Sequence, residues 1–268
     1  PETVFPHGYA VLNADDDLVY KMKTDLKCNI ALFSMDENNP RIISHCKDGG
    51  YAAVFENGYI TIMKGTWKIR VIKVIDVPVT YGGKAVHNIM NCLPAVLSTY
   101  FWRNIEIEDI RLALQTFIPS STQTPGRLNL FQFKHFQFLV DFAHNPAGLE
   151  LLCDFVSKLD GEPKVGIISG TGDRRDEDIK ELGKISGRYF DEIIIRQDKN
   201  LRGRTAEEIV NLLVAGIKET QPKEIPIEII YNEKEAIMHA YNNVKPGSLI
   251  TIMCDVVAEA RDLIKGLK

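Results

Sequence analysis

No stretch of this 268-residue sequence approaches the run of about 18 apolar residues that a membrane-spanning helix requires. The start, Pro1-Glu2-Thr3-Val4, has neither the basic nor the apolar region of a secretory signal. A cytoplasmic location is the resulting expectation. Cysteine is scarce: Cys28, Cys46, Cys92, Cys153 and Cys254 are odd in number, far apart and form no C-x-x-C pair. Neither a disulfide framework nor a zinc site is indicated, and the five read as buried or incidental thiols. Positive charge is not in surplus either, with Lys and Arg at 32 against Asp and Glu at 36. That balance argues against a nucleic-acid surface, which has to neutralise phosphates with a clear cationic excess. A G-x-x-x-x-G-K-[ST] phosphate loop is missing throughout, because Gly83-Lys84 lacks both the first glycine at its spacing and the hydroxyl that should follow. Internal repeats and low-complexity segments are also absent.

What remains is an ordinary globular composition, 45% hydrophobic and 25% charged, enough for one large core or two smaller ones. The chain changes character near residue 120, where Ile118 to Gly126 is polar and carries two prolines and a glycine, the composition of a hinge. Beyond it, Leu128 to Phe133 and Phe136 to Phe142 alternate as a hairpin around Lys134-His135. Strands are then expected at 165–169, 192–196, 227–231 and 249–253, and helices near 146–159, 176–189, 205–219, 233–243 and 256–266. Strands fed by helices of this length need parallel crossovers, so the second half is expected to be an α/β domain, a Rossmann-like open, mostly parallel sheet with helices on both faces. Ligands in such sheets sit at the carboxyl ends of the strands. The first half predicts strands at 9–12, 30–34, 51–55, 59–63 and 68–74 and helices at 17–23, 86–102 and 108–115. Pro94 should kink the longer helix or mark its first turn.

Several short motifs carry chemistry. Asn13 to Asp17 follows a strand and on its own is the pattern of a capped turn leading into a helix; the glycine and closing glutamate of a calcium loop are missing. Gly82-Gly83 precedes a helix whose first turn holds His87, Asn88 and Asn91, where free N–H groups and asparagine amides suit an anion or a purine edge, or simply cap the helix. Pro125-Gly126-Arg127 closes the hinge. Asp141-Phe142-Ala143-His144-Asn145-Pro146 delivers a carboxylate, an imidazole and an amide at a strand end, then a proline suited to start a helix. Gly170 to Asp176 ends another strand with two glycines and Arg174-Arg175, and Arg196 to Arg204 follows the next. Guanidinium forks there suit carboxylate or phosphate. Three charged loops at one sheet edge outweigh any one of them, while the charge runs at 176–184 and 218–228 read as solvated faces.

Taken in order, these pieces resemble the Mur ligase family, ATP-dependent enzymes that join an amino acid or peptide to a carboxylate. Asn13-Ala14-Asp15-Asp16, His87-Asn88-x-x-Asn91, Pro125-Gly126-Arg127, Asp141 to Pro146 and Gly172 to Asp176 carry the likeness, with Pro94 standing where most members have alanine. It is strongest to the branch with D-[YF]-A-H-N-P-A-G, G-D-R-R-D and D-x-x-x-R-G-R stretches, read here at Asp141 to Gly148, Gly172 to Asp176 and Asp198 to Arg204. In that branch arginine is added to the side-chain carboxylate of polyaspartate. The resemblance implies ATP and Mg2+, an acyl phosphate, and its displacement by an amine. It implies that His87, Asn88 and Asn91 meet the adenine, that Arg127 and Asp141 reach phosphate and ribose, and that His144, Asn145, Asp173, Arg174 and Arg175 do the chemistry. Arg202 and Arg204 would hold the acidic acceptor. The family's phosphate loop and magnesium ligands fall upstream of Asn13. With the Pro1 start, the expectation is therefore a piece of a longer ligase, inactive alone: residues 1–120 the carboxy-terminal part of a central ATP-binding domain, residues 121–268 a complete carboxy-terminal domain, and no metal ligand within the chain. The resemblance is compatible with a homo-oligomer. Rival readings are a peptidoglycan-precursor or folylpolyglutamate ligase, and a non-catalytic module that only binds polymer.

Overall fold

Strand and helix sort into two units, Pro1–Ile118 and Pro119–Lys268. The computed structural model describes residues 4–220 and 224–267. Pro1 to Thr3, where the reading of the chain's start falls, and residues 221–223 of the 218–228 charge run lie outside the described residues.

The first unit runs β1 (Tyr9–Asn13), α1 (Asp17–Lys21), β2 (Asn29–Ser34), α2 (Pro40–Lys47), β3 (Tyr51–Glu56), β4 (Tyr59–Lys64), β5 (Trp67–Lys73), α3 (Val86–Tyr100) and α4 (Ile107–Thr116). The strands lie in that order in one sheet, β1 to β3 parallel and β3 to β5 antiparallel. Side chains alternate across the pleat into two cores. Ala31, Ala53 and Ile62 pack with Ile89, Leu93 and Leu97 of α3, while Leu32, Ala52 and Val54 pack with Ile42 and Cys46 of α2. Helix α2 is a correction to the sequence reading, which places nothing between 35 and 50. Its signal is a start signal only: Asn39 caps it by accepting the Arg41 N–H at 2.9 Å, and Pro40 fills the first turn. With just Ile42 and Cys46 buried, the helix is too short to show a period. Asn13 to Asp17 is indeed a capped turn. Asp16 accepts the N–H groups of Leu18 and Val19, and the Asp15 carboxylate ties down Ser34, Met35 and Asn39. Pro94 lies in the interior of α3, not its first turn.

One buried carboxylate holds the antiparallel strands together. Glu56, 4% exposed, accepts from Lys68 Nζ at 2.6 Å, Thr61 Oγ1 at 3.1 Å and Arg70 Nε at 3.3 Å. The Lys68 ammonium, supported by Arg70 and Thr61 and opposed by burial, holds the carboxyl at about 2 against an ordinary 4.5. A carboxyl depressed in the folded state contributes stability that is complete above its unfolded value and lost as pH falls through the folded one. Acid titration followed by circular dichroism is expected to show this loss between roughly 4.5 and 2. Glu56→Gln should flatten the slope in that window and cost about 1–3 kcal/mol at neutral pH. An unchanged acid limb would show that the ion cluster is not responsible.

The second unit opens with the hairpin β6 (Asn129–Gln132) and β7 (Gln137–Asp141), followed by α5 (Pro146–Ser157), β8 (Lys164–Ile168), α6 (Asp176–Tyr189), β9 (Glu192–Ile195), α7 (Ala206–Thr220), β10 (Ile227–Ile229), α8 (Glu233–Asn243), β11 (Leu249–Met253) and α9 (Val257–Gly266). The sheet order is β10-β9-β8-β11-β7-β6, parallel except for the edge strand β6. Ala236 and Ile237 of α8 and Ala260 and Ile264 of α9 pack on Phe138, Val140, Val165, Ile167, Ile250 and Ile252. Gly166, between Val165 and Ile167, faces the other way, against the ring of Phe190 at the end of α6. Helices therefore cover both faces, as the alternation of strand and helix requires. The chain passes from β7 to β8, runs outward to β10, and returns to insert β11 between β7 and β8. That return is what opens a crevice at the strand ends.

Candidate functional site

Four parallel strands end at the crevice, and the loop after each contributes to it. Register aligns Met253 of β11 with Asp141 of β7, and Ile195 of β9 with Ile168 of β8, so the loops leave the sheet side by side. They enclose a cavity of about 200 Å³. His144 enters it after β7, Arg174 after β8, Asp198 and Arg202 after β9, and Asp255 after β11. Gly172 is what lets the second and third loops touch: a Cβ there would lie 2.0 Å from the Leu201 carbonyl oxygen.

The loop arginines divide by how their hydrogen bonds are used. Arg175 is turned to Asp178 in a bidentate pair, at 2.9 and 2.8 Å, and is 76% exposed. Arg202 is paired with Asp173. Arg204 braces the loops, donating to the carbonyls of Gly172 at 3.0 Å and Arg174 at 2.8 Å and pairing with Asp176. Arg174 differs from the other three. Its Nε is buried without a hydrogen-bond partner, and the nearest carboxylate, Asp173, stands 4.0 Å away. A buried donor left unpaired costs about 1–3 kcal/mol, which an anion in the cavity would recover.

His144 Nδ1 lies 3.0 Å from the Phe142 carbonyl. A carbonyl only accepts, so Nδ1 carries a proton, and Nε2 is the ring atom left to face the cavity. Asn145 is taken up locally: its Oδ1 accepts the Gly148 N–H at 2.8 Å and caps α5, with Pro146 in the first turn. Asp141, 8% exposed, accepts the Leu128 N–H at 2.9 Å, so it holds the Arg127 turn against the end of β7. Burial pushes its carboxyl up, opposed by that N–H and by the Arg127 charge. Arg127 itself is exposed, 5.9 Å from the Phe142 ring centroid.

In the first unit, Asn88 spends its amide N–H on the Val79 carbonyl at 2.7 Å, bracing the turn before α3 and leaving its Oδ1. His87 is half-buried beside it and Asn91 is exposed. Among the described residues no group of three or more His, Cys, Asp or Glu side chains could hold a metal ion.

Arg196, which opens the Arg196 to Arg204 stretch but has no role of its own in the sequence reading, is structural. It is 1% exposed, the largest fully buried side chain described. Its guanidinium donates to the Met253 carbonyl at the end of β11 and pairs with Asp198 and with Glu233 at 3.2 Å. Asp198 also accepts from Ser169 Oγ at 3.1 Å, so Arg196 joins three of the four strand ends. Its signal in the sequence is an arginine closing the apolar run Ile193-Ile194-Ile195. All five cysteines are free thiols; Cys254 borders the cavity, and burial pushes its thiol up to about 12, so it stays protonated.

Comparison with known proteins places these loops in a family context. Residues 126–255 match the family model described as Mur ligase, glutamate ligase domain. Cyanophycin synthetase of Synechocystis sp. is 42% identical over 267 residues, which is 100% of this chain and 30% of that protein. That of Crocosphaera subtropica is 44% identical over 263 residues, 98% of this chain and 30% of its own length. The chain thus spans about 30% of these relatives. Among solved structures, the murein peptide ligase of Psychrobacter arcticus aligns with TM-score 0.63 at 16% identity, covering 98% of this chain and 52% of that one. E. coli FolC in complex with DHPP and ADP aligns with TM-score 0.60 at 14% identity, covering 89% and 54%. At such identities these two likenesses concern the fold alone.

Proposed function

We propose that the chain, whose residues 126–255 match the family model described as Mur ligase, glutamate ligase domain, is part of an ATP-dependent ligase that adds arginine to the side-chain carboxylate of polyaspartate. Residues 119–268 are the ligase domain in this reading, and residues 1–118 the end of a central nucleotide-binding domain. Identity of 42–44% to cyanophycin synthetases along nearly the whole chain supports the choice of substrates. The buried Nε of Arg174, without a hydrogen-bond partner at the cavity, supports giving that residue the reacting charge.

ATP gives its terminal phosphoryl group to the acceptor carboxylate, leaving ADP and an acyl phosphate. The arginine amine then attacks the acyl carbon, loses a proton, and expels inorganic phosphate as the amide forms. Arg174 meets the negative charge of the phosphoryl group, and the His144 Nε2 lone pair is placed to take the amine proton. Arg202 and Arg204 hold the loops and face the acidic acceptor. ATP is the co-substrate, and His87, Asn88 and Asn91 are assigned to its adenine in this reading. No described residue is assigned to the magnesium that accompanies it.

The test is phosphate release by the intact ligase with ATP, a polyaspartate primer and arginine. Release is expected to require all three and to match amide formation one for one. Release that needs a muramyl peptide instead, or that ignores arginine, would overturn the reading.

A further inference from the structure

Beside the cavity, where the amino-terminal ends of α8 and α9 meet the loop after β9, lies a larger one of about 510 Å³. That size falls among small-molecule sites. The two cavities share Asp198 and Asp255 as a common wall. Their chemistry differs. The smaller one presents Arg174, Arg202 and His144; the larger presents four carboxylates, Asp198, Glu233, Asp255 and Glu259, against two lysines, Lys199 and Lys234. The rest of its lining is Gln197, whose buried Oε1 has no hydrogen-bond partner, Asn232, and an apolar side of Ile237, Ala260 and Leu263, with Tyr231 exposed at it.

The positive charge at hand does not balance these carboxylates. Lys199 Nζ is taken by Glu259, at 2.6 and 2.7 Å. Asp198 and Glu233 share the single guanidinium of Arg196, which also serves the Met253 carbonyl. Asp255 receives the Lys199 backbone N–H at 2.8 Å, a dipole and not a charge. Burial pushes the Glu233 carboxyl above its ordinary range, a cost that a further cation would relieve.

We infer that this larger cavity binds a guanidinium group on an aliphatic stem, the stem lying on Ile237, Ala260 and Leu263 and the head meeting the carboxylates of Asp198, Glu233 and Asp255. An apolar trough ending in acceptor oxygens matches a guanidinium's planar set of donors and its weak hydration. The source of the group rests on the ligase reading: within it, the ligand is an arginine side chain, either of the free amino acid or of a residue already on the acceptor. The site is then a holding point one wall away from the reacting cavity.

The 268-residue chain, titrated with agmatine and followed by amide and side-chain NMR, tests this. Agmatine has the guanidinium and the stem and no carboxylate, so it does not call on Arg174. Saturable shifts at Tyr231, Ile237 and Leu263 are expected. Two substitutions on half-buried or exposed lining, Glu259→Lys, which adds positive charge and releases Lys199 beside the carboxylates, and Leu263→Trp, which fills the trough, should each weaken binding by roughly tenfold. Shifts confined to His144, Arg174 and Arg202, affinity unchanged in both variants with melting preserved, or no saturable shift at millimolar ligand would each overturn the inference. Binding of arginine and of its Nα-acyl amide alike assigns the site to a polymer residue; binding of arginine alone assigns it to the free amino acid. Ligase turnover is read separately, so agmatine binding without arginine-dependent phosphate release would retire the reaction and keep the site.

Discussion

In the ligase proposed above, Arg174→Ala is expected to lower kcat by about 10²–10³, the usual cost of removing one preorganised charge donor from a reacting centre. Arg175→Ala, its neighbour in the same Gly-Asp-Arg-Arg motif, should stay within a few-fold of the parent. The difference comes from geometry, since the two side chains are chemically identical. Arg175 has placed its fork on Asp178 at the surface, where screening makes such a pair worth little. Arg174 has a buried Nε with nothing to bond and borders the cavity. Steady-state kinetics decide the matter if kcat and KM are resolved. A loss confined to KM would make Arg174 a binding group present equally in ground and transition state. Equal losses in the two variants would mean that the loop as a whole, and not one guanidinium, does the work. Arg174→Lys should recover part of the rate, because it restores the charge without the planar fork.

Gly216→Ala is expected to destabilise the second unit by about 3 kcal/mol or more, the upper range for overpacking. For a unit of this size that lowers the thermal midpoint by roughly 6–12 °C. Here a Cβ would lie 2.0 Å from the Lys180 carbonyl oxygen and 2.9 Å from the Lys184 nitrogen, both backbone atoms of α6. Gly183 makes the reciprocal approach, its missing Cβ 2.2 Å from the Leu213 carbonyl oxygen of α7. Backbone cannot rotate aside as a side chain can, so α6 and α7 would have to part. Differential scanning calorimetry of the variant settles this. Alanine favours a helix by about 1 kcal/mol over glycine, so a raised midpoint would show that intrinsic propensity, not helix contact, governs the position.

The success of the sequence reading in the second unit has a simple cause. Its strands alternate with helices long enough to show their periods, and a parallel sheet admits few arrangements of such a pattern. Helix α2 escaped because two buried residues, Ile42 and Cys46, make no period, and only Asn39-Pro40 announced it. The two glycines between α6 and α7 escaped for another reason. Gly183 and Gly216 are ordinary residues within helical runs, and their meaning lies in the facing helix: Gly183 meets the backbone of Leu213 in α7, and Gly216 that of Lys180 and Lys184 in α6.

The candidate site divides along the same line. Local pattern brings the right residue types to the strand ends: His144, Arg174, Arg202 and their neighbours are carried there by strand periodicity and by glycines and prolines that stop the elements. Those are local properties of the chain, set by backbone sterics and by short-range hydrophobic pattern. Which of these groups stay available depends on folding across the whole unit. Asn145 was claimed by a helix cap, Asp141 by the Leu128 N–H, Arg175 by Asp178 and Arg204 by two carbonyls, while the Nε of Arg174 was left without a hydrogen-bond partner. The insertion of β11 between β7 and β8 likewise brought Asp255 beside Asp198 and buried Arg196 behind them. Hydrogen-bond partnership depends on distances between segments remote in the chain, and no one-dimensional pattern contains those distances.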